Sequence, residues 1–206
     1  MPSRNSIKSY IEGGYYHLYN RGVEKRQIFM DDQDYRVFLS YLKLYLLSPD
    51  PEDFNQKIHK DLSTTIDLVA YCLMPNHFHL LVRQHTAKGI EEFMRCINIK
   101  YAMYFNKRHD RTGGLFQDAY KAVLIQNDEY LMHLSRYIHC NPALMMPNII
   151  QYPYSSYHYY LTESPPWLKP HSVKELFTNE EAYRQFINLT DIDPLAVLHN
   201  LAIDSE

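Results

Sequence analysis

The sequence has little cysteine, no extended apolar run and no strong net charge, and each shortage narrows what the chain can be. Its three cysteines, Cys72, Cys96 and Cys140, are odd in number, widely spaced and without a C-x-x-C pair. They make no disulfide framework, so the expected location is a reducing cytoplasm. The longest apolar run, Leu68 to Met74, falls far short of the roughly 20 residues that a membrane helix needs. No basic-then-apolar leader occupies the first thirty positions, and no membrane association is expected. Internal repeats, low-complexity stretches and a P-loop are missing as well. What remains is 46% hydrophobic and 22% charged, the balance of a soluble globular protein of 206 residues with enough chain to bury a real core.

Against a single tryptophan and 9 phenylalanines stand 19 tyrosines. A tyrosine joins an apolar ring to a polar tip, which suits half-buried positions and also surfaces that stack bases or meet phosphates. The net charge of −3 is unevenly distributed. Residues 1–30 carry an excess of three positive charges and residues 95–126 an excess of four, whereas residues 161–206 carry an excess of five negative charges. A basic working surface for a polyanion and an acidic tail are therefore both compatible with a near-neutral total.

The pattern along the chain predicts a strand over Tyr15 to Asn20 that ends at the turn-like Asn20-Arg21-Gly22. A helix follows, with Asp31 or Asp32 as N-cap and Tyr35, Phe38, Leu39, Leu42 and Leu46 at helical spacing, and it stops before Pro49. Residues 49–63 read as a polar connection. Two strands, Ile66 to Met74 and His77 to Gln84, flank Pro75-Asn76 as a hairpin. A long amphipathic helix covers Gly89 to His109, a strand lies near Ala119 to Gln126, and Asn127 caps a last helix from Asp128 to about Cys140. The first six elements make the β-α-β-β-α-β order of a ferredoxin-like α+β fold, an antiparallel sheet with its helices on one face. The expected domains are a catalytic unit over residues 1–160 and an acidic, helical C-terminal extension over residues 161–206.

Alternation along the second hairpin strand sends Phe78, Leu80 and Val82 to a core face and His77, His79, Leu81 and Arg83 to the other. Two imidazoles one pitch apart can converge on one cation, although an H-x-H pair alone is unspecific. On the last helix His133, Tyr137 and Asn141 are each four residues apart and share one side. Asn141 could add an amide oxygen as a third ligand, with the Tyr137 phenol close by. Read from spacing alone, Asn141 is better explained as a cap before Pro142 and Tyr137 as an amphipathic residue at the core edge.

Four ordered stretches carry a resemblance: Tyr16-His17-Leu18-Tyr19-Asn20-Arg21-Gly22, Met74-Pro75-Asn76-His77-Phe78-His79-Leu80-Leu81-Val82, Gly113-Gly114-Leu115-Phe116-Gln117 and Tyr137-Ile138-His139-Cys140-Asn141-Pro142. Together they resemble the single-tyrosine HUH transposases, in particular the REP-associated tyrosine transposases, over roughly residues 8–160. The resemblance implies a ferredoxin-like sheet, single-stranded DNA with hairpins as partner, and cleavage through a 5′-phosphotyrosine that leaves a 3′-hydroxyl. It assigns the nucleophile to Tyr137 and the metal ligands to His77, His79 and Asn141, where some relatives carry glutamine. It also implies Mg²⁺ or Mn²⁺ as cofactor, and either a homodimer that exchanges the tyrosine helix or a monomer.

The chemistry agrees with this assignment. A phenol of pKa about 10 is a poor nucleophile at neutral pH without help from a cation or base. A cation on two imidazoles and an amide oxygen stabilises charge on a phosphate oxygen and orients it for in-line attack. A phosphotyrosine conserves the bond energy for transfer to a DNA 3′-hydroxyl, so no ATP site is required. His133 is a rival ligand or proton carrier, and Tyr101 and Tyr104 are rival nucleophiles. Candidate DNA contacts are Asn20, Arg21, Arg83, Arg111 and Lys121. The alternatives are a non-catalytic single-stranded nucleic-acid binder on the same fold and a zinc hydrolase built on H-x-H.

Overall fold

Four strands form one antiparallel sheet in the computed structural model, which describes residues 10–48 and 60–189. They are β1 (Tyr15–Arg21), β2 (Ile66–Met74), β3 (His77–Gln84) and β4 (Lys121–Ile125), in the spatial order β2-β3-β1-β4. This is the order that the ferredoxin-like pattern requires. One face is covered by α1 (Asp32–Leu46) and α2 (Gly89–Arg108), the other by α3 (Asp128–Cys140) and the shorter α4 (Tyr157–Tyr160), α5 (His171–Lys174) and α6 (Glu180–Asn188). The strand and helix limits expected from the sequence hold within two residues, and β2, β3 and α3 coincide with them. Most of the polar connection over residues 49–63 lies outside the described residues.

Each helix is specified locally. The Asp31 side chain caps α1 by accepting from the N–H groups of Gln33 and Asp34, and Asn127 caps α3 by accepting from that of Tyr130. Tyr35, Phe38, Leu42 and Leu46 of α1 and Ile90, Phe93, Met94, Ile97 and Tyr101 of α2 meet Leu18, Phe78, Leu80 and Val82 in a first core. A second core joins Leu131, Leu134 and Ile138 of α3 to Val69, Ala70, Cys72 and Leu81. In β2 the switch between faces needs a bulge between Leu68 and Ala70, which lets Val69 and Ala70 both serve the second core.

Two polar devices hold this frame. The buried carboxylate of Asp34 joins the start of α1 to the end of α2. It accepts from Met30 N (2.9 Å), Tyr104 Oη (3.1 Å), Arg108 Nη1 (2.5 Å) and His109 Nε2 (3.0 Å). Arg108 also forks onto Asp31, and its hydrogen bonds hold that carboxyl down at about 2. On the opposite face His139 is wholly buried, with Nδ1 2.6 Å from Tyr183 Oη on α6 and Nε2 2.7 Å from Ser156 Oγ. Arg136 donates to the carbonyls of Ile187 and Leu189, so α6 is tied to α3 at two places.

The Tyr154-Ser155-Ser156-Tyr157 segment packs back on the sheet. Tyr154 O accepts from Leu73 N and Ser156 N donates to Tyr71 O, both at 2.9 Å, and Lys169 N donates to Leu68 O at 2.7 Å. These bonds cover the outer edge of β2, which removes one of the sheet's two templates for unwanted pairing. Tyr183 and Ile187 of α6 lie in the second core, so residues 171–188 share a hydrophobic core with the sheet.

Two expectations follow. Asp34→Ala leaves four donors without their acceptor and should lower unfolding free energy by about 3 kcal/mol or more, measured by urea denaturation. Burial, followed by the neighbouring His158, lowers the pKa of His139 to about 3 from its ordinary 6.5. A depressed pKa means that the unfolded chain takes up the proton first. Stability is therefore present above about pH 6.5 and declines as pH falls towards 3. His139→Gln should show a shallower decline between pH 6.5 and 5 in the same denaturation assay.

Candidate active site

Strand register assembles the site. Across the face that carries α3, Cys72, His79, Tyr19 and Lys121 stand directly opposite one another on β2, β3, β1 and β4. His77, two residues from His79 on β3, lies opposite Arg21. His17 of β1 shares the face, with its ring stacked 4.8 Å from Tyr19 and 5.1 Å from His79. α3 crosses above this row because Leu131, Leu134 and Ile138 are buried against the sheet. That placement brings the Tyr137 ring edge-on to His79 at 5.2 Å and to His17 at 6.2 Å. One turn further, where Pro142 ends the α-helical pattern, Asn141 Oδ1 lies 3.3 Å from His77 Nε2.

The structure thus brings His77, His79, Tyr137 and Asn141 together. His79 is 3% exposed, and burial first, then His77 and His17, push its pKa well below the ordinary value. Burial alone lowers His17 to about 3. Both rings are neutral at physiological pH, the form in which an imidazole can ligate a metal. His79 Nε2 is a buried ring nitrogen without a hydrogen-bond partner, and His77 Nε2 faces an amide oxygen. A spacing of 3.3 Å matches two ligands on one cation with bonds of about 2.1 Å. Two imidazoles and an amide oxygen therefore fit a small divalent ion. Among the described residues no group of three or more His, Cys, Asp or Glu side chains is placed to hold a metal ion.

A cleft of about 380 Å³ opens over His77, His79 and Tyr137, with Arg21, Lys25 and Lys121 as its cations. Arg21 Nε donates to Gln117 Oε1 at 2.6 Å, and Lys121 Nζ sits 5.6 Å above the Tyr19 ring. Asn20 also borders the cleft, but its partner across the strands is Phe78. Its Nδ2 donates to Asp118 O and its Oδ1 accepts from Arg21 N, so it ties the loop after Phe116 to the strand. Lys25 and its neighbour Glu24 adopt left-handed backbone at φ 58° and 56°, uncommon for residues with a Cβ.

Other candidates fall elsewhere. Arg83 shares the face of His77, yet six residues of strand, roughly 20 Å, separate them. It stacks on Tyr15 and donates to Gly13 O. Arg111 donates to Asn106 Oδ1 and covers Phe105, outside the cleft. Tyr101 is buried under the opposite face with Oη on Ile28 O, and Tyr104 donates to Asp34, which removes both as rival nucleophiles. His133 lies beside Phe186 of α6. Five residues of the site escaped the reading from sequence: His17, Tyr19, Lys25, Asn76 and Gln117. The alternation His17-x-Tyr19 on a strand next to the histidine pair was the available signal for two of them.

Fold and site together define an α+β protein with an antiparallel sheet, a histidine pair on a central strand and a tyrosine on a late helix. The family pattern described as "Transposase IS200 like" matches residues 10–141, and the chain belongs to this family. No curated protein sequence is significantly similar to it. Among solved structures, the REP-associated tyrosine transposase bound to a REP hairpin matches with a TM-score of 0.56 and 16% identity, covering 80% of this chain and 90% of that one. A candidate transposase from Deinococcus radiodurans R1 also has 16% identity, covering 67% and 95%, with a TM-score of 0.40 that carries no argument.

Proposed function

We propose that this transposase-family protein nicks and rejoins single-stranded DNA that carries hairpins, with Tyr137 as nucleophile and His77, His79 and Asn141 as the holders of Mg²⁺ or Mn²⁺. The observation that carries the reading is the convergence of the Tyr137 ring and the Asn141 oxygen on the His77 and His79 imidazoles at the floor of a basic cleft. When bound, the cation would draw charge from a non-bridging phosphate oxygen. Tyr137 Oη attacks the phosphorus, the new bond is a 5′-phosphotyrosine, and the bond to the 3′-oxygen breaks to release a 3′-hydroxyl, which takes up one proton as the phenol loses one. Attack by a DNA 3′-hydroxyl reverses these changes and restores the phenol. Arg21, Lys25 and Lys121 neutralise flanking phosphates, and the face of Tyr19 offers a stacking surface for a base.

The hairpin preference is taken from the structural relative, whose bound REP hairpin is the ligand of that protein. In this reading the site is built within one chain, with the Tyr137 ring 5.2 Å from that of His79, and a homodimer that exchanges the tyrosine helix is the alternative. Residues 1–160 form the catalytic unit in this reading, and residues 161–206 an extension whose α6 braces the tyrosine helix. A cytoplasmic location belongs to the same reading. No helix among the described residues is long and apolar enough to cross a membrane.

Covalent capture tests the nucleophile. Labelled single-stranded hairpins incubated with Mn²⁺ should yield a protease-sensitive adduct on a denaturing gel, absent with EDTA and absent in Tyr137→Phe. An adduct that persists in Tyr137→Phe would overturn the assignment. Tight hairpin binding with no adduct under any condition would favour the non-catalytic binder. Anisotropy titrations across salt test the cleft: Arg21→Ala or Lys121→Ala should each weaken binding and reduce the log–log salt slope by about 0.7. Arg83→Ala and Arg111→Ala, outside the cleft, should move it less.

A further inference from the structure

The protons on the two site histidines are governed from behind, by residues to which the proposed reaction gives no role. Asn76 is anchored on two sides: its carbonyl accepts from Gly22 N at 2.9 Å, and its Nδ2 donates to Lys25 O at 3.3 Å. This leaves Oδ1 directed at His77 Nδ1, 2.6 Å away. Both neighbours of His77 are amide oxygens, which can only accept, and the much shorter contact, to Asn76, favours a neutral ring with its proton on Nδ1 and a lone pair on Nε2. That lone pair faces another acceptor, Asn141 Oδ1, whose amide is oriented by donation from Nδ2 to Tyr137 O at 3.3 Å. Two acceptors turned towards each other repel unless a positive species joins them.

His79 also meets a fixed neighbour on its far side, here a ring nitrogen able to donate or accept. Its Nδ1 lies 2.9 Å from Nε2 of His17, and its own Nε2 has no partner. His17 is wholly buried and held between the stacked Tyr19 and His79 rings, with Tyr137 edge-on, so it cannot turn away. Its Nδ1 is also unpartnered. An apolar ring would fill this position without leaving a buried polar atom unsatisfied, which folding alone disfavours. A histidine kept at that cost points to a role for the nitrogen that faces His79.

We propose that Asn76 and His17 are positioning residues that hold the ring protons of His77 and His79 on Nδ1, so that both Nε2 lone pairs and the Asn141 oxygen form a cation site before any cation arrives. The inference rests on the reading of His77 and His79 as metal ligands. It extends that reading to the residues that make the ligands competent, since the partner of a ligand's second nitrogen sets which nitrogen can bind.

The test uses the full chain and two readouts other than DNA cleavage. In cation-free protein labelled with ¹⁵N-histidine at pH 8, long-range ¹H–¹⁵N spectra should show Nδ1–H tautomers for His77 and His79. Titration with Mn²⁺ alone, followed by calorimetry and electron paramagnetic resonance, should show His17→Phe binding about 10- to 100-fold more weakly than wild type. His17→Gln supplies an oxygen acceptor and should recover most of the loss. The circular dichroism spectrum should stay unchanged in both. A proton on Nε2 of either histidine in the wild type, or Mn²⁺ affinity unmoved by His17→Phe, would overturn the proposal. If His17→Phe does not fold, the wild-type tautomers decide alone. Wild type that binds Mn²⁺ with these tautomers but forms no phosphotyrosine would overturn the nicking reaction and leave this inference standing. Wild type that binds no Mn²⁺ would overturn the ligand reading and this inference with it.

Discussion

β3 is paired on both sides, with β1 on one and β2 on the other, and this double pairing fixes which way each of its side chains points. Phe78, Leu80 and Val82 are wholly buried beneath α1 and α2. A slip of one residue would send that row to the α3 face and turn His77, His79 and Arg83 into the first core, so register is strongly specified. His77 and His79 are thereby held on the other face without contributing much to stability themselves. Every other part of the site is placed relative to them: His17 and Tyr19 by the β1 register, Lys121 by β4, and Tyr137 by the helix that crosses above.

The position of Tyr137 depends on a second set of contacts. α3 has an apolar stripe that seats it on the sheet, but a stripe alone permits sliding along the helix axis. His139 between Tyr183 and Ser156, and Arg136 on the carbonyls at the end of α6, pin the helix at its C-terminal half, where Tyr137 and Asn141 lie. The segment after α3 covers the β2 edge as well, so the residues that follow the tyrosine helix secure both the sheet and the helix.

The site combines two electrostatic environments. On its floor burial holds His79 and His17 as neutral rings. Its rim is cationic, with Arg21, Lys25 and Lys121. Such a rim suits a polyanion, and on the floor His17 Nδ1 and His79 Nε2 have no hydrogen-bond partner. Left-handed backbone at Glu24 and Lys25 and unpartnered nitrogens on His17 and His79 are local costs borne at this end of the sheet. Their concentration there, and not in the two cores, agrees with a site shaped by function.

Much of this architecture could be read along the chain. Periods of two in β2 and β3, periods of 3.6 in α1, α2 and α3, Asp31 and Asn127 as caps, and Pro142 as a stop are local signals, and local physics decides them. The pairing of Phe78, Leu80 and Val82 against His77 and His79 follows from alternation alone. The bulge at Leu68 to Ala70 was invisible, because from Leu68 onward the strand is an unbroken apolar run with no alternation to interrupt. Arg83 shows the limit from the other direction: it has the correct face, but distance along the strand removes it from the cleft. The roles of His17, Asn76 and Lys25 depend on contacts between residues that are 62, 51 and more positions apart or on the path of a turn, and a sequence holds no distances. The sequence by itself determined the elements, the faces of the strands and the residue types able to do the chemistry. Only the tertiary structure decided which of those residues meet, because strand register and the seating of α3 are set by packing across the whole sheet.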